Sequence, residues 1–160
     1  MKIAISILIT IGTACFMEMV AWFEHKYIMH GFLWVLHKDH HMPTGGKLQR
    51  NDLFALLFAV PSFLMIFLGF KNGLWPLQYF GLGLALYGAG YVIFHDIMFH
   101  KRIKRIKYKP KSDYMKGIIT AHRLHHSRVT KQNGISFSFL WAPKRYSDKS
   151  LWKESGKGEW

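Results

Sequence analysis

Residues 24–41 read EHKYIMHGFLWVLHKDHH and hold five of the ten histidines in the chain. These five follow two spacings, H-x4-H and then H-x2-HH. The same two spacings return in FHDIMFH, residues 94–100, and in AHRLHH, residues 121–126, and these hold the other five. Histidines placed for solubility or packing would not be confined to four spaced motifs, so we interpret them as ligands of bound metal. The predicted ligands are His25, His30, His37, His40, His41, His95, His100, His122, His125 and His126.

The spacings predict how these rings are presented. In a helix, residues i, i+3 and i+4 share a face, so each H-x2-HH motif is expected to point three imidazoles the same way. Two residues five apart lie roughly 140° apart on an ideal helix. Each H-x4-H pair therefore either meets at one metal where the helix is irregular, or flanks two metals.

Nitrogen ligands narrow the choice of metal. Neutral imidazole binds iron, zinc, copper and nickel. Ten ligands exceed what one ion takes, since structural zinc is usually four-coordinate, and two ions fit the count. The one cysteine, Cys15, lies in an apolar run, which excludes a disulfide framework or a cysteine-based metal site. Histidine-only ligation at a membrane surface favours a redox-active iron pair that activates O2, because zinc does not change valence.

The apolar residues gather in three long blocks, residues 3–23, 53–70 and 74–94, each long enough to cross a bilayer. Mean hydropathy is only +0.04 because basic segments separate the blocks. The first block passes directly into histidines without a cleavage site, which disfavours a signal peptide. We predict an all-α integral membrane protein with about three transmembrane helices, forming one domain over residues 1–160. The polar tail, residues 144–160, is predicted to be mobile.

The distribution of Lys and Arg residues predicts on which side of the membrane the histidines lie. Three spans put residues 24–52 and 95–160 on one side, together with all 22 Lys and Arg residues except Lys2 and Lys71. The positive-inside rule makes that side cytoplasmic. The net charge of +13 does not indicate nucleic-acid binding, since such a module would not carry three spans. The basic run at residues 101–111, with Arg123 and Arg128, either contacts anionic lipid or docks an acidic electron carrier.

Four carboxylates are close to the histidine motifs in sequence. Glu24, Asp39 and Asp96 adjoin histidines, where they either orient ring N–H groups or only offset positive charge. Glu18 lies inside the first span, where a carboxylate is costly and indicates function, unless it is protonated or faces the interface.

The four-motif order resembles the fatty-acid hydroxylase and sterol desaturase superfamily of membrane di-iron oxygenases. HKYIMHG, HKDHH, NDLFA, WPLQ, AHRLHH and SFSFLWAP resemble, in the same order, stretches of the bacterial β-carotene hydroxylases, over residues 15–143. The resemblance implies two iron ions, O2 as co-substrate and a ferredoxin-type electron donor. It also implies 3-hydroxylation of the β-ionone rings of β-carotene to β-cryptoxanthin and zeaxanthin, at a bacterial inner membrane. Larger relatives have four spans, whereas this sequence shows three.

Composition and spacing alone leave rival functions open. A carotenoid ketolase, a fatty-acid or sterol hydroxylase, a desaturase, or a non-enzymatic membrane metal-binding protein has the same general features, and only the motif resemblance favours β-carotene. Phe23, Trp34 and Phe94 lie at the span ends and are predicted either to line a substrate pocket or to pack the core. The oligomeric state, and which histidine binds which metal, stay open.

Overall fold

The computed structural model describes residues 1–43, 48–103, 105–106 and 108–154. Every regular element in these ranges is helical, which confirms the predicted all-α fold. The helices are α1 (Lys2–Phe23), a first π-helix (Glu24–Phe32), α2 (Trp34–His41), α3 (Leu53–Lys71), α4 (Trp75–Tyr91), a second π-helix (Val92–Phe99), α5 (Asp113–His126) and α6 (Lys149–Glu154), with short 3-10 turns at Arg50–Asp52 and Lys144–Ser147.

Three helical stretches are long and apolar enough to cross a membrane: Lys2–Phe32, Arg50–Lys71 and Trp75–Phe99. The predicted spans fall inside them, except that the third was predicted to begin one residue earlier, at residue 74. Large apolar side chains such as Phe63 and Phe70 remain exposed on the helix surfaces. A helix that is apolar on all sides is stable when lipid covers those surfaces, and the chain is therefore a membrane protein.

Small residues let the three spanning helices approach closely. A Cβ atom added at Gly83 would lie 2.5 Å from the Cβ of Thr13, and one added at Gly81 would lie 2.8 Å from the carbonyl oxygen of Ser62. The Ser62 hydroxyl also donates to the Gly81 carbonyl at 2.9 Å. Glycine at these two positions therefore brings α4 against both α1 and α3.

Two π-helices continue the first and third spanning helices. In each, a backbone N–H bonds to the carbonyl five residues earlier: Leu33 to Ile28 at 3.0 Å, and His100 to His95 at 3.0 Å. This hydrogen bond brings residues five apart onto one face. The first π-helix turns at Gly31 (φ −98°, ψ −124°), which redirects the chain into α2.

The carboxyl-terminal part returns over the histidine-bearing helices. Ser112 caps α5 by accepting a hydrogen bond from the Met115 N–H at 3.2 Å. Residues 130–141, which we call the strap, follow α5 without regular structure. Within the tail that is predicted to be mobile, residues 144–154 form two short helices; Tyr146 is buried there, and the Lys144–Ser147 turn packs on Gly117. Residues 155–160 lie outside the described ranges.

Candidate metal centre

All ten predicted ligands converge in two groups of five. Within each group, one ring nitrogen from every histidine lies within 4.8 Å of the others. The first group comprises His25, His30, His37, His41 and His125. The second group comprises His40, His95, His100, His122 and His126. The groups are adjacent, since the ring centroids of His41 and His126 are 4.6 Å apart.

Each H-x2-HH motif is divided between the two groups. In α2, His37 and His41 belong to the first group and His40 to the second, whereas α5 reverses this and gives only His125 to the first. The expectation that three imidazoles point the same way was therefore too simple. Residues four apart stay together, while the residue three after the first lies on the other side of the same broad face.

Each H-x4-H pair stays within one group. The sequence left two arrangements open, and the π-helices decide between them. Because the hydrogen bond spans five residues, His25 and His30 face one group, and His95 and His100 face the other.

The hydrogen bonds of six histidines fix where their protons lie. In each, Nδ1 faces an oxygen that can only accept, so Nδ1 donates and, in a neutral ring, Nε2 keeps a free lone pair. The acceptors are the Phe137 carbonyl for His25 (2.9 Å), the Lys131 carbonyl for His30 (3.4 Å), the Asn51 side-chain oxygen for His37 (2.6 Å), the Gln49 side-chain oxygen for His40 (3.0 Å), the Asp96 carboxylate for His95 (2.8 Å) and the Ile135 carbonyl for His125 (2.7 Å).

The lone pairs of these six rings face one another in three pairs. The two Nε2 atoms are 3.2 Å apart in His25 and His37, 3.2 Å apart in His30 and His125, and 3.1 Å apart in His40 and His95. With both Nδ1 atoms protonated, no proton is left to join two Nε2 atoms, so they repel. A cation that accepts both lone pairs removes the repulsion, and the residues of both groups therefore fit a bound metal.

A further buried nitrogen agrees with this fit. Among the described residues, His126 Nε2 has no hydrogen-bond partner. The Nε2 atoms of His100 and His122 approach to 2.8 Å in the second group. A buried polar atom without a partner is costly, and binding a metal in the group to which these rings belong offsets that cost.

Burial keeps the rings outside the spans neutral. Desolvation lowers the pKa of His41 to about 4, with a smaller contribution from repulsion by His30. Desolvation also lowers the pKa of His100 to about 4, with Arg102 and neighbouring histidines adding to the shift. Since the pKa values lie below the ordinary value of about 6.5, both rings are uncharged at neutral pH. The uncharged ring is the form that ligates metals.

The supports of the first group come mainly from the strap backbone. Carbonyls of Lys131, Ile135 and Phe137 accept from three of its five rings. The Phe137 ring also packs against His25, His30 and His125, with centroids 5.1–5.5 Å apart. No sequence pattern indicated these contacts, because every residue type has the same backbone carbonyl.

The supports of the second group are side chains joined by Arg102. The Arg102 guanidinium donates to Gln49 and to Asp52, each at 2.7 Å, and lies 3.7 Å from the Asp96 carboxylate. Gln49 and Asp96 are the two acceptors that orient His40 and His95. Sequence reasoning missed Gln49, Asn51 and Arg102. The NDLFA motif that begins at Asn51 was the available signal.

The predicted carboxylates have different environments. Asp96 accepts the ring N–H of His95 directly, which is one of the two roles that the sequence left open. Asp39 accepts the backbone N–H groups of Arg50 (2.6 Å) and Asn51 (3.4 Å), so it orients the histidines only through the turn that carries Asn51. Glu24 Oε2 is buried and has no hydrogen-bond partner in the described ranges. Glu18 bonds to the strap.

The three aromatic residues predicted for a pocket are dispersed. Trp34 packs against His30 and His41 of the first group, with centroids 5.0 and 5.3 Å away. Phe94 packs on Phe139, at 6.3 Å, in the core. Phe23 is exposed on α1 and lines an open groove of about 600 Å³. The groove is also lined by Phe16, Glu18, Met19, Val20, Trp22, Ser138 and Trp141.

Comparison with known proteins identifies relatives of this arrangement. The chain is 44% identical to the beta-carotene hydroxylase of Pantoea ananas over 136 residues, which cover 85% of this chain and 77% of that protein. It is 39% identical to the beta-carotene hydroxylase of Pseudescherichia vulneris over 147 residues, which cover 92% and 82%. It is 34% identical to the chloroplastic beta-carotene 3-hydroxylase 2 of Arabidopsis thaliana over 145 residues, which cover 88% and 46%.

No solved structure shows significant similarity to the chain. The family model described as fatty acid hydroxylase matches residues 10–142, which include both histidine groups, most of the first spanning helix and all of the other two. The chain therefore belongs to the fatty acid hydroxylase family.

Proposed function

We propose that this protein is a β-carotene 3-hydroxylase, which uses O2 to hydroxylate the β-ionone rings of β-carotene to β-cryptoxanthin and then zeaxanthin. The observation that carries the proposal is the pair of five-histidine groups in which unprotonated Nε2 atoms converge. The curated relatives named for β-carotene support the substrate. They favour it over a ketolase, a fatty-acid or sterol hydroxylase, a desaturase or a non-enzymatic metal-binding protein.

Two iron ions are the proposed cofactors, one in each group, held by the ten histidines. Iron bound there supplies the redox chemistry with O2 that no side chain of the protein can supply. The protein holds the ligand rings neutral and in one tautomer, through the strap carbonyls, Gln49, Asn51 and Asp96. It also excludes water, since His37 and His40 are 2% exposed and His125 is fully buried.

The carotenoid is proposed to reach the metals from the lipid. The groove beside α1 is almost entirely apolar and opens where α1 meets the strap. Ser138 in its wall follows Phe137, whose ring packs on the first histidine group. An apolar ring that enters from the membrane therefore finds a lipid-like surface close to the proposed metal ligands.

The distribution of Lys and Arg residues supports a proposal for the electron donor and for the orientation of the protein in the membrane. The histidine groups lie on the side that carries nearly all Lys and Arg residues, so the positive-inside rule favours the cytoplasmic face of a bacterial inner membrane. The exposed side chains of Lys101, Arg105, Lys109 and Lys111 offer a basic surface to an acidic ferredoxin-type donor.

Pigment analysis tests the function. The chain is expressed aerobically in a bacterial host that accumulates β-carotene, and pigments are separated by chromatography with mass detection. We expect cryptoxanthin and zeaxanthin, and neither product from a His125→Ala control. Keto products would identify a ketolase. Unchanged β-carotene with iron bound would indicate a different lipid substrate, and unchanged β-carotene without iron would contradict the di-iron site.

A further inference from the structure

Glu18, in the first spanning helix, is hydrogen-bonded to the strap. Its Oε1 accepts the backbone N–H of Phe139 at 2.8 Å and that of Leu140 at 2.7 Å. Its Oε2 accepts the hydroxyl of Tyr87 on α4 at 2.9 Å. The Glu18 side chain thus links α1 and α4 to the strap, which lies about 120 residues further along the chain.

The same strap orients the first histidine group. The Phe137 carbonyl, two residues before the first N–H bound by Glu18, accepts from His25, and the Ile135 and Lys131 carbonyls accept from His125 and His30. Among the described residues, these bonds have no counterpart in the second group, whose bonded acceptors are the side chains of Gln49 and Asp96. Displacing the strap therefore removes hydrogen-bond acceptors from the first group, whereas the second group loses only a ring contact, that of Phe139 with His95 at 6.3 Å.

Water cannot replace these bonds easily. Phe139 is 8% exposed and Tyr87 is 7% exposed, and both belong to the apolar cluster around Met17. Without the Glu18 oxygens, two adjacent backbone N–H groups would lie among apolar side chains with no acceptor there. The strap would have to move out to hydrate them, and its carbonyls would leave the histidine rings.

We propose that Glu18 is a positioning residue that holds the strap over the first histidine group and thereby sets the metal affinity of that group alone. The proposal rests on the proposed function only in so far as the groups bind iron. It assigns the intramembrane carboxylate a role apart from substrate or proton chemistry.

Three variants separate this role from a general packing role. Glu18→Gln keeps an oxygen that accepts both N–H groups, whereas Glu18→Leu is similar in size and removes it. Ser62→Ala is the matched control, because it removes a different buried hydrogen bond between spanning helices, the one to Gly81, and leaves the strap intact. Size-exclusion profiles in detergent confirm that each variant is folded before comparison.

The first measurement is iron(II) binding to each purified full-length protein under anaerobic conditions, as ions retained per chain. In Glu18→Leu we expect one of two classes of bound iron to weaken by about 10–100-fold and the other to stay unchanged, since lost ligand supports typically cost this much. Glu18→Gln and Ser62→Ala are expected to retain both classes. Equal weakening of both classes, or no weakening, in Glu18→Leu would overturn the proposal.

The second measurement needs no metal. Lys131 is exposed on the strap, so trypsin cleavage after it reports how often the strap opens. We expect cleavage to be about tenfold faster in Glu18→Leu than in Glu18→Gln or Ser62→Ala, because only Glu18→Leu removes the acceptor of two backbone N–H groups of the strap. Equal cleavage rates would overturn the proposal. If even the wild-type protein retains no iron, the proposed function fails, while the cleavage rates still decide whether Glu18 holds the strap.

Discussion

The two histidine groups have the same number of histidines and different kinds of hydrogen-bonded support. The first is oriented by three backbone carbonyls of the strap and by Asn51, the second by the side chains of Gln49 and Asp96, which Arg102 joins. A side-chain support can be removed by one substitution at its own position. A carbonyl support can be removed only by moving the backbone, so the first group is open to changes at residues that touch no histidine.

The largest expected effect comes from removing a ligand of one group. His125→Ala deletes a fully buried ring of the first group, and we expect hydroxylated pigment to fall by more than about 100-fold, since even lost ligand supports cost up to that much. The amount of iron bound per chain is expected to fall to what the second group alone binds. His40→Ala is the reciprocal control, and loss of both metals in both variants would show that the groups do not bind independently.

Gly134→Ala tests the strap without replacing a histidine, although its added Cβ would also lie 3.4 Å from His30 Nδ1. A Cβ atom there would lie 2.6 Å from the tip of the Phe137 ring, which is wedged among three histidines of the first group. We expect iron affinity of the first group to fall by about tenfold or more as the ring is displaced. Gly88→Ala is the matched control, because nothing lies within 4 Å of its added Cβ. Equal iron binding in the two variants would show that the position of the Phe137 ring does not affect the first group.

Gln49→Leu tests the second group. It removes the acceptor of His40 and one partner of Arg102 while keeping a side chain of similar size. We expect about a tenfold loss of iron affinity in the second group, with trypsin cleavage after Lys131 unchanged. Faster cleavage would mean that the strap depends on this side-chain network, and the contrast between the two groups would not hold.

The sequence predicted the parts of this centre that depend on residue type and spacing. Apolar blocks indicated three spans, and repeated histidine spacings indicated two metals, since both patterns follow from local geometry. It could not assign His40 and His41 to different groups, because that division depends on which helices pack on each side of α2. It also left the H-x4-H pairs open, because nothing in EHKYIMH distinguishes a π-helix from an α-helix.

The hydrogen-bond acceptors that orient the histidines were harder to predict, because three of the six are backbone carbonyls. Asp96 was identified from its position beside His95, and Gln49 and Asn51 were present in the sequence but unmarked. The carbonyls of the strap have no sequence signature, since any residue supplies one. Glu18 was singled out only because a carboxylate inside a membrane span is energetically costly. Its partners Phe139 and Leu140 are bound through backbone N–H groups, which no sequence pattern reveals.

The smallest expected effect concerns the shape of the strap. Ser136 lies between Ile135 and Phe137, whose carbonyls accept histidine N–H groups. It has φ +55°, a left-handed conformation that costs an L-residue about 1–2 kcal/mol. Glycine removes this strain but loses about 0.5–1 kcal/mol more entropy on folding, so Ser136→Gly should leave stability equal or slightly higher.

Ser136→Val provides the contrast for that substitution, because a branched Cβ strongly disfavours the left-handed conformation. We expect it to lower the thermal midpoint and to weaken iron binding in the first group only, as measured by melting and iron titration in detergent. If valine is tolerated as well as glycine, the left-handed turn at Ser136 does not determine where the two flanking carbonyls point, and the strap must be positioned mainly by its bonds to Glu18.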